Sequence, residues 1–142
     1  MEKQILTTTA VRRELIRDLK VHPVVFDRAL KFQRNSKRDQ AIRSAALDRG
    51  GFLYTGLLHA PEGYCPKVET LFDQARDIMY QSFGDRVALE VELKSGRATV
   101  FIDHSPVGVF DNMTLDVWGD ILYSLQQVYN QLASRDISNI KR

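Results

Sequence analysis

Asp103, His104 and Ser105 carry, in unbroken order, the side chains of an acyl-transfer triad. A triad needs acid, base and nucleophile to converge in space, which three neighbours along one chain do not do. Pro106 follows, and Asp, Ser and Pro are ordinary turn formers, so a turn is the expected role. His59 and Cys65 form the next pair with ligating chemistry. No second pair at ligand spacing accompanies them, so neither metal nor cofactor is expected. Tyr64 and Cys65 read as packing residues. Glu90 and Glu92 share one strand face and, with Asp103, make an acidic patch that reads as a solvated surface. The chain holds no glycine loop for phosphate and no dinucleotide fingerprint. No enzyme is expected.

The stronger signal is charge. Residues 1–51 hold 12 Lys/Arg against 6 Asp/Glu, and residues 52–142 hold 8 against 12, so a net +6 precedes a net −4 inside a total of +2. A basic third on an acidic remainder suggests two jobs, with polyanion binding for the first. The hydrophobic share of 44% suffices to build a core. Neither a membrane-length apolar run nor a secretory leader is legible, and a lone cysteine makes no internal disulfide. The expected compartment is the cytoplasm.

The basic residues need elements to hold them, and the first 51 residues supply three short helices. Thr8 or Thr9 caps the first, which runs to about Leu19 with Val11, Leu15, Ile16 and Leu19 inward and Arg12, Arg13 and Arg17 outside. A tight turn at Lys20-Val21 leads to Pro23, suited to a first helical position, with His22 as N-cap. Val25, Phe26, Ala29 and Leu30 then repeat at helical spacing. Asn35 ends that helix and Ser36 caps the third, residues 37–49, with Ala41, Ile42, Ala45 and Ala46 inward and Lys37, Arg38 and Arg43 largely outside. Gly50-Gly51 stops it.

A short helix with a partly cationic outer face after a tight turn suits entry into a DNA major groove. On this reading Val24 and Arg28 face base edges, and Arg28 can bind guanine through two hydrogen bonds. Lys31, Arg34, Lys37, Arg38 and Arg12 contact phosphates, and His22 reaches one at the turn. The alternative is an adaptor whose basic three-helix face docks an acidic protein partner.

The stretch Leu15–Leu30 resembles the helix-turn-helix of lac-repressor-type headpieces. The matching residues are Val21, Val25-Phe26 and Arg28-Ala29-Leu30. The run from Arg28-Ala29-Leu30 through Asn35-Ser36 and Ala41-Ile42-Arg43 to Gly50-Gly51 is similar to the N-terminal regions of small bacterial and phage helix-turn-helix proteins. The resemblance implies a double-stranded DNA partner and a transcriptional regulator of a bacterium or mobile element. Two positions depart from the pattern. Lys20 stands where glycine is usual, and a non-glycine residue at positive φ is uncommon and strained, so either the helix crossing is adjusted or the turn differs from the family's. Ile16 replaces a small residue and is expected to hold the first two helices further apart.

The remainder reads as a linker, 56–65, and an α+β domain, 66–142, for dimerisation or for sensing a partner or ligand, so the domains are 1–55, 56–65 and 66–142. Phe52-Leu53-Tyr54 suggests a short strand. Val68, Leu71, Phe72, Ala75, Ile78 and Met79 suggest a helix over 66–83. Period-two patterning gives strands at 87–93, 97–103 and 107–110, and a long helix follows from Thr114 to Ala133. Its stripe is Leu115, Trp118, Ile121, Leu122, Leu125, Val128, Tyr129 and Leu132, which reads as core, with a homodimer contact as a further expectation. The polar tail from Ser134 is expected to fray. The expected fold is therefore α+β: a three-helix helix-turn-helix unit, then an α-β-β-β-α domain with a three-stranded antiparallel sheet. No DNA site, regulatory sense or small-molecule effector is legible.

Overall fold

The computed structural model describes the backbone of residues 1–140 and side chains through Arg135. The fold is mixed α+β, with four helices, a two-stranded sheet and a five-stranded antiparallel sheet among the described residues. Residue contacts divide the chain into two compact units, Glu2–Gly56 and a second made of Met1 with the chain from Leu57 on.

The first unit runs β1 (Gln4–Leu6), α1 (Thr9–Leu19), α2 (Pro23–Leu30), α3 (Lys37–Asp48) and β2 (Phe52–Tyr54). β1 pairs antiparallel with β2, Ile5 opposite Leu53, so the two ends of the unit are tied together. Ile5, Leu15, Phe26, Ala29, Leu30, Ile42 and Ala46 form its core. So small a unit buries little apolar area, and its helix ends matter correspondingly. Thr8 caps α1, His22 caps α2 and Ser36 caps α3. At the end of α3, Gly50 takes φ 92°, and Gly51 donates its N–H to the Ala46 carbonyl at 2.8 Å. A Cβ on Gly51 would lie 2.7 Å from that carbonyl oxygen, so only glycine fits.

Two expectations for this unit are corrected. Helix α2 is closed by Phe32 in the left-handed region, φ 58°, and not by Asn35. Phe32 and Gln33 return their N–H groups to the carbonyls of Ala29 and Arg28, which satisfies the last turn despite the bulky residue. Arg43 lies inside, at 8% exposure, whereas Ala41 is exposed. The guanidinium can be buried because backbone carbonyls meet it, as described below.

The second unit is a meander in the order β3-β4-β5-β6-β7: Glu69–Asp73, Ile78–Phe83, Val87–Glu92, Arg97–Ile102 and Ser105–Phe110. The long helix α4 (Leu115–Ile140) follows. Met79, Phe83, Val87, Leu89, Val91, Ala98, Val100, Ile102 and Phe110 are buried on one sheet face, as are Ile121, Leu122, Leu125, Val128 and Leu132 of α4. Trp118 donates its indole N–H to Gln81 Oε1 at 2.8 Å, and Tyr129 stacks on Phe83. The helix therefore lies on that face, which a sheet of this kind needs for stability.

The helix expected over 66–83 is two strands, so the sheet has five strands instead of three. Four residues, 74–77, turn β3 into β4, with Asp77 at φ 52°. β4 buries Met79, Gln81 and Phe83 in alternation, and the polar Gln81 in that series disguises the period of two. β3 is an edge strand with hardly any burial, so its residues carry no alternation to read. β7 starts at Ser105, two residues earlier than expected, with a bulge opposite Val100/Phe101. The stretch 57–65 is no free linker. Leu58 and Ala60 donate backbone N–H groups to Ser124 Oγ and Asp120 Oδ1, both at 2.8 Å, and the Tyr64 hydroxyl donates to Gln126 on α4. Tyr64 also meets Tyr123 edge-on at 5.2 Å. α4 runs on as far as Ile140, so the tail expected to fray from Ser134 is helical to that point, and positions 141 and 142 lie outside the described residues. Leu115, placed on the inward stripe, is exposed. Among the described residues no helix is long and apolar enough to cross a membrane.

Candidate nucleic-acid interface

Helix α2 opens with Pro23 in its first turn, and His22 Nδ1 accepts the Val24 N–H at 3.1 Å. That acceptance leaves the ring proton on Nε2, free to donate outward. Val24, Arg28 and Lys31 follow at spacings of four and three and form one exposed stripe, with Val24 47% exposed. Phe26, Ala29 and Leu30 are buried. The eight-residue helix therefore presents one mixed apolar and cationic face.

Lys20 supplies the turn before it in the left-handed conformation, φ 52° and ψ 45°. A residue with a Cβ is strained there. Arg12 of α1 braces the start of the unit: its Nε and terminal nitrogen donate to Asp27 Oδ1 and Oδ2 at 3.1 and 2.9 Å. Asp27, α2's own carboxylate, is thereby neutralised, and the partner raises the Arg12 pKa. Arg12 thus sits on a carboxylate and not as a free cation.

The turn into α3 is built around Arg43. Its guanidinium donates to the carbonyls of Ala29 and Arg34, each at 3.0 Å, and to Asn35 Oδ1 at 2.6 Å. It also lies 4.7 Å from the Phe32 ring centroid, with Lys3 Nζ 4.6 Å from the same ring. At the start of α3, Ser36 Oγ accepts the Asp39 N–H at 3.2 Å, and the Ser36 N–H donates to Asp39 Oδ2 at 3.0 Å. The Ser36 hydroxyl donates to the same oxygen at 2.7 Å. These hydrogen bonds hold the Asp39 carboxyl below its ordinary pKa, with Arg38 and Arg34 adding a smaller pull.

Arg28, Lys31, Arg34, Lys37 and Arg38, from the middle of α2 to the first turn of α3, are all exposed. Among the described residues none of the five has a carboxylate within ion-pair distance. Arg49 behaves differently, donating to Glu14 and Asp18 at 3.0 and 2.6 Å and tying the end of α3 to α1. Arg12, Arg43 and Arg49 thus act as braces and Arg17 lies on its neighbour Asp18, whereas the five cations from α2 to α3 have no carboxylate within ion-pair distance among the described residues.

The brace residues were not legible. Arg12 and Asp27 lie fifteen residues apart with no pattern joining them. Arg43 follows the buried Ile42, and its inward turn depends on carbonyls that exist only once the α2–α3 turn has formed. Asp39 was the exception in principle, since Ser36-Lys37-Arg38-Asp39 has capping-box spacing.

The remaining candidates lie elsewhere. Asp103 and His104 are the two central residues of the β6–β7 hairpin, at φ 49° and 67°, a two-residue turn that matches the twist of the strands. Both Asp103 oxygens are taken by Arg86, at 2.5 and 3.0 Å. His59 Nδ1 lies 3.3 Å from Asp120 Oδ2, and Cys65 is exposed. Among the described residues no three His, Cys, Asp or Glu side chains converge on one point. Glu90 is half-buried on the open sheet face, whereas Glu92 and Asp103 are exposed. Comparison with protein-family models, curated proteins and solved structures finds no match.

Proposed function

We propose that the unit Glu2–Gly56 is a helix-turn-helix DNA-binding module and that the chain is a DNA-binding regulator of a bacterial or phage system. α2 would enter the major groove. The observation that supports this most is the cluster of five exposed cations on α2, the following turn and the start of α3, none with a carboxylate within ion-pair distance among the described residues. Crowded like charges repel, and a protein lowers that cost by interspersing acids. Here the nearest acids are sequestered: Asp27 by Arg12 and Asp39 by Ser36. An external polyanion completes the arrangement.

Roles follow from position. Val24 and Arg28 lie on the outward stripe of α2 and would read base edges. His22 Nε2, Lys31, Arg34, Lys37 and Arg38 would hold phosphates. Arg12 would position α2 through Asp27. The second unit would supply dimerisation, which doubles the contact on two half-sites.

The test is binding of fluorescent duplexes across a salt series. Four phosphate contacts by Lys31, Arg34, Lys37 and Arg38 predict a log–log slope of about −3.6. Lys31→Ala should make the slope about 0.9 shallower and weaken every sequence alike. Arg28→Ala should cost roughly 1–3 kcal/mol on a selected site and little on random duplex. Absence of binding at low salt, with capture of an acidic protein by the same face, would establish the adaptor instead.

A further inference from the structure

α4 covers one face of the five-stranded sheet and leaves the other open. The open face carries Leu71, Tyr80, Ser82, Ala88, Glu90, Thr99 and Phe101, as the strand register requires. Tyr80 stands opposite Glu90 and Glu90 opposite Thr99; in the next row Ser82 stands opposite Ala88 and Ala88 opposite Phe101. Ala88, with only a methyl group, makes a floor between longer neighbours. The result is a concavity of about 320 Å³ lined by Tyr80, Ser82, Ala88, Glu90 and Phe101, with Asp85 and His104 at its rim. Such a volume lies within the range of small-ligand sites.

Its electrostatics are one-sided. Arg86, also at the rim, donates from Nε and one terminal nitrogen, a single edge of its guanidinium, to the two carboxylate oxygens of Asp103. Arg76 feels the charge of Glu90, but it commits its nitrogens to Asp73 Oδ2 and the Tyr80 hydroxyl, at 2.8 and 2.9 Å. Among the described residues neither Glu90 nor Asp85 has a cation within ion-pair distance. The pocket thus offers two aromatic side chains and, on a small-residue floor, a carboxylate with no cation within ion-pair distance among the described residues.

We propose that this pocket binds a guanidinium group, its plane against Tyr80 or Phe101 and its N–H fork on the Glu90 carboxylate. An ammonium holds its water more tightly and lacks the flat face, so it fits less well. Aromatic faces attract a cation, and a carboxylate takes the two parallel N–H groups of a guanidinium. The site lies wholly in the second unit and does not depend on DNA binding by the first. The group could arrive on a free small molecule or on an arginine of a peptide, which share this chemistry.

The experiment is an amide NMR titration of the full chain with ethylguanidinium, its neutral isostere ethylurea, ethylammonium and a doubly blocked arginine. Ethylguanidinium should shift the amides of Tyr80, Ala88, Glu90 and Phe101 saturably, and ethylurea should not. Ethylammonium should bind more weakly, by about threefold or more. Glu90→Gln should weaken ethylguanidinium about tenfold, and Phe101→Leu, which keeps apolar volume without the ring, about fivefold. Both exposed-face variants should retain the wild-type spectrum elsewhere. Blocked arginine binding more tightly than ethylguanidinium assigns the group to a peptide; equal binding assigns it to a small molecule. Missing shifts at these four amides, equal binding of ethylurea or ethylammonium, or unchanged binding by Glu90→Gln would each overturn the proposal.

Discussion

In the sheet unit, Arg76 lies on Asp73, Arg86 on Asp103 and Lys94 near Asp77, every pair set among hairpin turns. Across α2 and the start of α3, by contrast, Arg28, Lys31, Arg34, Lys37 and Arg38 have no carboxylate within ion-pair distance among the described residues. Exposed pairs add little stability, so the sheet unit gains little by pairing. What differs is the field. Pairing leaves the hairpins nearly neutral, whereas the helical unit keeps a concentrated positive face and turns its own acids to bracing. On the proposed reading, charge serves local closure in one unit and would serve an external anion in the other.

The comparison breaks most severely at Phe26, which is fully buried. Phe26→Ala should cost the helical unit about 3–5 kcal/mol. Amide signals from α1, α2 and α3 should collapse while those of β5 and β6 persist; simultaneous loss of both sets would show that the units do not fold separately. Next comes the division between braces and the free cluster. Arg43→Ala strips hydrogen bonds from the Ala29 and Arg34 carbonyls and should lower stability by about 1–3 kcal/mol in urea unfolding. Arg38→Ala should stay within roughly 0.5 kcal/mol. Similar losses for both would erase the distinction.

A smaller effect tests the turn. Lys20→Gly relieves a left-handed residue with a Cβ and should raise stability by about 1 kcal/mol, read as a higher unfolding midpoint in urea. The smallest effect is acid sensitivity. The folded Asp39 carboxyl titrates below its ordinary value of 3.8, so its contribution is complete above that value. It disappears as pH falls further, through the folded pKa. Asp39→Asn should flatten this part of the acid dependence in circular dichroism scans from pH 5 to pH 2.

Legibility followed the range of the interactions. His22-Pro23, Ser36 and Gly50-Gly51 act on backbone within a few residues, so the starts of α2 and α3 and the end of α3 could be read directly. Lys20 was legible only as a departure from the usual glycine; that it keeps the left-handed conformation was left open by the sequence. β3 and β4 were not, since an exposed edge strand has no alternation and Gln81 is buried with its amide met by Trp118, thirty-seven residues on, and by Thr70 of β3. The cationic residues of the candidate interface could be named from type and spacing. Which of them brace and which stand free could not, because Asp27 and Asn35 settle that in three dimensions.

The most direct test of the basic face is amide NMR of the full chain titrated with a short random-sequence duplex at low salt. The account predicts shifts grouped at His22, Val24, Arg28, Lys31, Arg34, Lys37 and Arg38, fading as salt rises. Shifts confined to the sheet unit, or none at all while the protein stays folded, would contradict it.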